Sequence, residues 1–299
     1  MQLTTASENS PDLWPNCWIA PGFDPLTMIN DMALLLNGEG GQLEQSYLYL
    51  DLMSASGWCS LSNQEDYLAT ENSAPLDYMA KIVRQYLSSS PYDQHGLDVI
   101  TLGSGDGRKE VRLVNSLLNF AALESVRLYL LDISQPLLSE AFKYAADMFS
   151  NNNAVNVTAI QGNMHHLARY KQLIYSPKNS RRRRLVTMIG HTFGNLSNEL
   201  LFARNSLGVF STGDLLLLDM VLAYGNADSP EELYKKDPRL SGKIAWQHAT
   251  EKWLAGPIDR YRRSAQSIEF QSVLDNTTNC VPGSYTVEIQ AKIDGQAKF

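Results

Sequence analysis

The sequence predicts a doubly wound α/β domain over roughly residues 91–222, on three observations. Short apolar runs, "LDVITL", "VRLYLLD", "VNVTAI", "LVTMIG" and "DLLLLDMV", alternate with stretches of helical period such as "RKEVRLVNSLLNFA", "PLLSEAFKYAADMF" and "ELLFARNSLGVF". The short runs are apolar at successive positions, which suits parallel strands covered by helices on both faces. The first run ends in three close glycines, Gly103, Gly105 and Gly107. That is the carboxyl end of a strand, where such sheets bind ligands.

The remaining elements follow in order. Residues 1–25 are rich in Pro, Ser and Asn and are expected to be irregular or partly ordered. From Pro25 to Leu87 the pattern is helical: "DPLTMINDMALLLN" and "PLDYMAKIVRQYL" carry apolar residues at i, i+3, i+4 spacing. "SSSPYDQHG", Ser88 to Gly96, is a linker with turn chemistry. Inside the α/β block, Pro136 falls near a helix start, where its missing N–H costs nothing. Residues 223–265 read as helical and polar. "QSIEFQSVLD" and "GSYTVEIQAKI" then alternate like antiparallel strands, with "NTTNCVPG" as the turn region. Three parts are expected: 1–90, 91–222 and 223–299.

Bulk properties exclude several classes. A net charge of −7 gives no reason to expect a nucleic-acid partner. The one basic cluster, Arg181 to Arg184, reads as a solvated loop before a strand. Cys17, Cys59 and Cys280 are far apart and odd in number, without metal spacing or a disulfide framework, which fits a reducing compartment. The N-terminus "MQLTTASENSPDLWP" lacks the basic start and apolar centre of a signal peptide. The longest apolar run, "LLLLDMVLA", is too short for a bilayer and contains Asp219. The expectation is a cytoplasmic protein without membrane or nucleic-acid partners.

The glycines indicate a ligand. A glycine turn lets a ligand approach main-chain N–H groups with no Cβ in the way, and the helix it feeds favours negative charge. Two ligand classes fit: a dinucleotide pyrophosphate, or the amino-acid end of S-adenosylmethionine. Dinucleotide turns run G-x-G-x-x-G. Here the run is G-S-G-D-G, with the third glycine one residue early, the usual methyltransferase spacing. "LYLLD" ends in Asp132, at the carboxyl end of the second strand, where a carboxylate can accept hydrogen bonds from both ribose hydroxyls. Both ligand classes use such an acid, and Asp132 taken alone also reads as a helix N-cap. "IQGNMHHL" follows the third strand. Asn163 can accept from an adenine amine through its carbonyl, and Met164 can lie against the ring. His165 and His166 are neighbours on a helix and face apart, so no metal site is expected.

"RRLVTMIGHTFGNLSNELLF", Arg183 to Phe202, resembles the histidine-specific methyltransferase family, which includes histidine Nα-methyltransferases and ergot-alkaloid N-methyltransferases. That family reads G-S-T-I-G-N-[FL] after its fourth strand. Gly190, Thr192, Gly194, Asn195 and Leu196 match, while His191 and Phe193 depart. "LGSG", "LDIS" and "GNMHHL" are similar to its first, second and third motifs, and "GDLLLLDMVLA" to its fifth strand and the start of its insertion. The resemblance runs over roughly Ser46 to Ile293. It implies a Rossmann-like class I methyltransferase sheet, with a second, substrate-binding domain built from N-terminal helices and a C-terminal insertion. It also implies S-adenosyl-L-methionine as cofactor, held by Gly103, Ser104, Gly105, Asp132, Ile133, Asn163, Met164, Gly190 and Thr192.

For the acceptor, the resemblance implies Asn195 and Tyr67, the latter in "EDYLATE", as the groups that hold the reacting amine or carboxylate. Tyr49 in "YLYLD", Tyr234 in "ELYKKD", and Glu288 and Gln290 in "TVEIQAKI" would contact the rest. Thr101 stands where an acid is usual and cannot pair as a charge with the cofactor amine. Gln290 replaces a serine, and "EDYLATE" keeps only part of its family counterpart, so the acceptor is left open. The family continues beyond "AKIDGQAKF", which implies either a fused or associated further domain or a sheet finished differently.

Methyl transfer from a sulfonium is an in-line displacement with an already activated methyl, and the protein's contribution is alignment. An amine must arrive neutral, whereas a carboxylate is already ionised at pH 7. The leading expectation is N-methylation of an α-amine on a small amino-acid-like or peptide-like acceptor. O-methylation of a carboxylate, a non-catalytic S-adenosylmethionine-binding module and a nicotinamide dehydrogenase are the alternatives, the last disfavoured by the glycine spacing.

Overall fold

The computed structural model describes residues 16–19, 26, 30–31, 33–34, 45–63, 73–88, 96–120, 123–174, 182–190, 192–193, 196, 199–219, 232, 244–261, 268–275, 286–293 and 296–298. For residues 16–19 and the strands after residue 267, only the backbone is described.

Strand β1, Asn16–Ile19, comes first. It lies inside the stretch expected to be irregular, which corrects that reading. Its four residues pair in parallel with Thr158–Gln161, so it owes its conformation to a distant partner rather than to its own pattern. A 3-10 turn, Gln45–Tyr49, leads into helix α1, Leu52–Ser62. Asp51 caps α1 by accepting from the Met53 N–H at 2.7 Å. Helix α2 spans Ser73–Ser88.

The α/β block then follows as the alternation requires. Strand β2 is Gly96–Leu102, buried at every position. Helix α3 is Arg108–Phe120, β3 is Ser125–Asp132, and α4 is Gln135–Phe149. Strand β4 is Val155–Gln161, followed by a 3-10 turn, Met164–Tyr170, and the short α5, Lys171–Ile174. Strand β5 is Arg183–Met188, α6 is Glu199–Asn205, and β6 is Leu215–Leu218. All pairings in this sheet are parallel, in the order β1-β4-β3-β2-β5-β6. Chain progression reverses direction between β2 and β5, which makes the crevice outside their carboxyl ends the topological switch point.

Burial follows the period-two alternation of the strands. Leu97, Val99, Val126, Leu128, Leu130 and Leu185 face α2, α3 and α4. Ile100, Leu102, Tyr129, Leu131, Val186 and Met188 face the opposite way, against Leu167, Ile174, Phe202 and Val209. At the amino ends of the strands, a fully buried carboxylate is held by two half-buried arginines. Asp98 accepts from Arg127 at 2.8 and 2.9 Å and from Arg182 at 2.7 Å. Arg182 also donates to the carbonyls of Leu97 and Ser125. Arg184 pairs with Asp214 at 2.9 Å, and Arg183 donates to the Tyr86 carbonyl. Arg182, Arg183 and Arg184 are therefore tied to the neighbouring elements, not the solvated loop expected from the composition; Arg181 lies outside the described residues.

Helix α7, Ile244–Tyr261, packs directly on α1. The contact is close because Gly57 faces the α7 backbone at Trp253 and Gly256 faces Ser54; a Cβ at either glycine would collide. Strands β7, Ile268–Asp275, β8, Thr286–Ile293, and β9, Gln296–Lys298, form a separate antiparallel sheet. The first two are the expected pair, in register from Ile268 with Ile293 to Asp275 with Thr286. No helix among the described residues is long and apolar enough to cross a membrane.

Candidate active site

The switch point brings together three turns. After β2 come Gly103, Gly105 and Gly107, all at positive φ. A Cβ at Gly103 would lie 2.7 Å from Thr192 Cγ2, so the turns after β2 and β5 meet side by side. A Cβ at Gly107 would lie 2.7 Å from the Cβ of Ala141, so this glycine lets α3 and α4 close on each other. Gly105 differs: the only atom within 4 Å of its would-be Cβ is Trp58 Nε1, at 4.0 Å. Of the three, Gly105 has open space above it, and it is the position where a ligand can approach the main chain.

The main-chain amides correct one expectation. The N–H groups of Gly103 and Ser104 both donate to the Leu131 carbonyl, at 2.9 and 3.0 Å, and that of Gly107 donates to the Ser104 carbonyl at 2.8 Å. The Gly105 N–H donates to Asp132 Oδ2 at 2.7 Å. The amides of Gly103, Ser104 and Gly105 tie the turn to the end of β3, and that of Gly107 closes the turn on itself, rather than presenting themselves to a ligand. What the turn offers instead is shape, together with the Ser104 hydroxyl. That hydroxyl is buried and has no hydrogen-bond partner among the described residues.

Asp132 is the electrostatic centre of the crevice. Its Oδ1 accepts from the Ser134 N–H at 2.8 Å and its Oδ2 from the Gly105 N–H, which leaves acceptor capacity on the carboxylate. It is not the cap of α4. That role belongs to Ser134, whose Oγ accepts from the Leu137 N–H. Burial pushes the Asp132 carboxyl up to about 6, against the pull of the amides of Ser134, Gly105 and Ile133. At pH 7 it is ionised, as an acceptor for ribose hydroxyls must be. Ile133 is half-buried beside it, and its carbonyl accepts from Gln161 Nε2.

The other expected cofactor residues take these places. Asn163 caps the 3-10 turn after β4, its Oδ1 accepting from the His165 N–H at 2.9 Å, so an adenine amine would share that oxygen. Met164 packs on the Phe202 side of the sheet. His165 stands edge-on to Phe202, whereas His166 lies at a kink and is exposed. The Gly190 N–H donates to Asp219 Oδ2 at 2.9 Å, and Thr192 Oγ1 donates to the Ile189 carbonyl. Tyr49 joins Trp58 and Trp253 in an aromatic cluster, with ring centroids 5.6 to 5.7 Å apart. Asn195, Tyr67 and Tyr234 lie outside the described residues. Glu288 and Gln290 lie on β8, opposite Val273 and Gln271 of β7.

Three features were missed in the sequence. Lys109, in the first turn of α3, places its Nζ against Gly190; a Cβ there would lie 2.7 Å from it. This ammonium can hold a carboxylate. Glu110 is buried under the same turn. Trp58 and Trp253 form the roof beside Gly105. A cavity of about 720 Å³ lies farther out, between α1 and α4, with Asp106, Arg108, Cys59 and Glu140 on its walls and none of the expected site residues. Burial, then the Asp106 and Glu140 carboxylates, push the Cys59 thiol up to about 11, so it stays protonated and unreactive.

The residues fit the expected cofactor: open space over Gly105, an unpartnered Ser104 hydroxyl, and an ionised Asp132 with acceptor directions left over. Among solved structures, the chain is similar to a proposed S-adenosyl-L-methionine-dependent methyltransferase of Methanococcus maripaludis. Identity is 18% over 77% of this chain and 91% of that one, with a TM-score of 0.39. It is also similar to magnesium protoporphyrin IX methyltransferase of Synechocystis with bound SAH, at 13% identity over 82% of this chain and 96% of that one, with a TM-score of 0.33. No curated protein matches the chain. Residues 31–222 match the family of histidine-specific, SAM-dependent methyltransferases. The match takes in the glycine turn, Asp132 and the β5 turn, and the chain is a SAM-dependent methyltransferase of that family.

Proposed function

We propose that the enzyme N-methylates the α-amine of a small amino-acid-like or peptide-like acceptor, in the cytoplasm. One observation carries this reading. The N-terminal α1 and the late helix α7 pack on each other and bring Trp58 to within 4.0 Å of the space above Gly105. A crevice roofed by aromatic side chains suits a small acceptor better than a folded macromolecule. The same packing supports a division into an N-terminal helical part (1–90), a cofactor domain (91–222) and an insertion (223–299) that shares the acceptor site. Helix α7 also carries two buried polar atoms, Thr250 Oγ1 and Trp253 Nε1, with no partner among the described residues. Buried polar atoms nearly always have one, and an acceptor would supply it.

Bound S-adenosylmethionine supplies a methyl group activated by its positive sulfur. The chain's part is to hold the cofactor through Asp132 and Ser104, and to align the acceptor. Asn195 and Tyr67 are proposed to hold the reacting amine, with Tyr49, Tyr234, Glu288 and Gln290 around the rest of the acceptor. Mass spectrometry of products from a panel of amino acids and short peptides tests this. An acid- and base-stable methylamine is expected. A base-labile methyl ester would replace this reading with O-methylation of a carboxylate.

A further inference from the structure

The amino-acid end of S-adenosylmethionine carries an ammonium and a carboxylate, so a site that grips it needs charges of both signs. Lys109 Nζ beside Gly190 provides the positive one. Strand β2 provides no negative one at this level. Thr101 is uncharged and buried, and its Oγ1 donates to the Tyr129 carbonyl at 3.2 Å.

The negative charge is available one element later. Glu110 sits in the first turn of α3, immediately after the glycine turn, and is 4% exposed. It precedes Leu113 by three residues, Val114 by four and Leu117 by seven, so it lies on the helix face that packs on the sheet. That sheet face carries Val99 and Leu185, and hence also Thr101 and Thr187, two residues farther toward the carboxyl ends. Thr101 and Thr187 are register partners across the switch point. Glu110 forms no ion pair among the described residues. Two buried hydroxyls at the same end of the sheet have no partner among the described residues: Thr187 Oγ1, 1% exposed, and Ser104 Oγ, 4% exposed. A buried carboxyl without a counter-charge and two buried hydroxyls without partners are polar groups that the apolar core does not explain.

We propose that Glu110 is the group that pairs with the cationic amine of the cofactor's amino-acid end, with Ser104 and Thr187 completing its contacts. This rests on the cofactor site described above. The electrostatic surroundings agree. Burial, opposed by a hydrogen bond from its own main-chain amide and by Lys109, and reinforced by the carboxylates of Asp106 and Asp132, pushes the Glu110 carboxyl up to about 8. It is thus protonated at neutral pH until a cation arrives, and binding the amine releases the proton.

Calorimetry with two probes tests this: S-adenosylhomocysteine, which has the amino-acid end, and 5′-methylthioadenosine, which lacks it. In Glu110→Gln, affinity for S-adenosylhomocysteine should fall about ten- to a hundredfold, the range for one charge-assisted hydrogen bond. Affinity for 5′-methylthioadenosine should stay within about twofold, since nothing that probe touches has changed. Should Glu110→Gln not fold, proton release by the native enzyme at pH 7 decides. The heat of S-adenosylhomocysteine binding should depend on the buffer's ionisation enthalpy, and that of 5′-methylthioadenosine should not. Equal losses for both probes, no loss for either, or no difference in proton release would overturn the proposal. Native enzyme that binds neither probe would remove the cofactor site itself, and the proposal with it.

Discussion

At the residue scale, the account turns on two buried carboxyls that ionise under opposing influences. Asp132 keeps its charge at neutral pH because three main-chain amides offset part of the burial cost. Asp132→Ala should weaken S-adenosylhomocysteine binding by roughly 1.5–3 kcal/mol, measured by calorimetry; unchanged affinity in a folded variant would remove Asp132 from the site. Glu110 bears on stability. Its carboxyl rises from 4.5 to about 8 on folding, so the folded chain binds the proton more tightly than the unfolded one. Its contribution is present below about pH 4 to 5 and is lost as pH climbs through 8. Without cofactor, the stability difference between wild type and Glu110→Gln should shift against the wild type over that interval, by a few kcal/mol at most. Urea midpoints at pH 5 and pH 9 would show it; a difference constant with pH would contradict the burial described here. Glu110 was legible in principle, as an acid on the apolar stripe of its helix. It was passed over because neighbouring Arg108 and Lys109 make the turn read as an ordinary charged helix start.

At the element scale, the strands and helices of the α/β block were readable because each carries its own pattern. Strands apolar at every position, helices with one apolar stripe and turns marked by glycine all reflect local chemistry. Strand β1 was not readable: "NCWI" is too short to show a period, and its partners lie about 140 residues away in sequence. Nor was the role of Arg182, because its partner Asp98 is 84 residues distant and sits within an apolar run. Asp98→Ala would leave Arg127 and Arg182 without their shared counter-charge and should cost about 3–5 kcal/mol, seen as a lower denaturation midpoint with cofactor affinity retained. The glycine turn was half readable. Its place and purpose followed from spacing, but not the fact that its amides serve β3. Gly107→Ala should destabilise by about 1–3 kcal/mol, since its Cβ meets the Ala141 backbone at 2.9 Å and its φ of 72° disfavours a side chain. If Gly107→Ala has wild-type stability, the close approach of α3 to α4 is wrong.

At the scale of the whole molecule, the order β1-β4-β3-β2-β5-β6 places β2 and β5 side by side. That adjacency sets the turn with Gly103, Ser104 and Gly105 beside the one with Gly190 and Thr192, while β3 on the other side of β2 brings in Asp132 and Ile133. The acceptor side depends on elements far apart in the chain, since α1 and α7 meet only in the folded protein. Sequence could name candidate acceptor residues by resemblance, but not how they converge. The cavity between α1 and α4 has the size of a ligand site yet contains none of the residues assigned to the cofactor. The two locations give the account its sharpest test, a crystal structure of the enzyme with S-adenosylhomocysteine. The expected result is a nucleoside over Gly105 with both ribose hydroxyls within hydrogen-bond distance of Asp132. A ligand seated between α1 and α4, or one that leaves Asp132 bonded to main-chain amides alone, would contradict it.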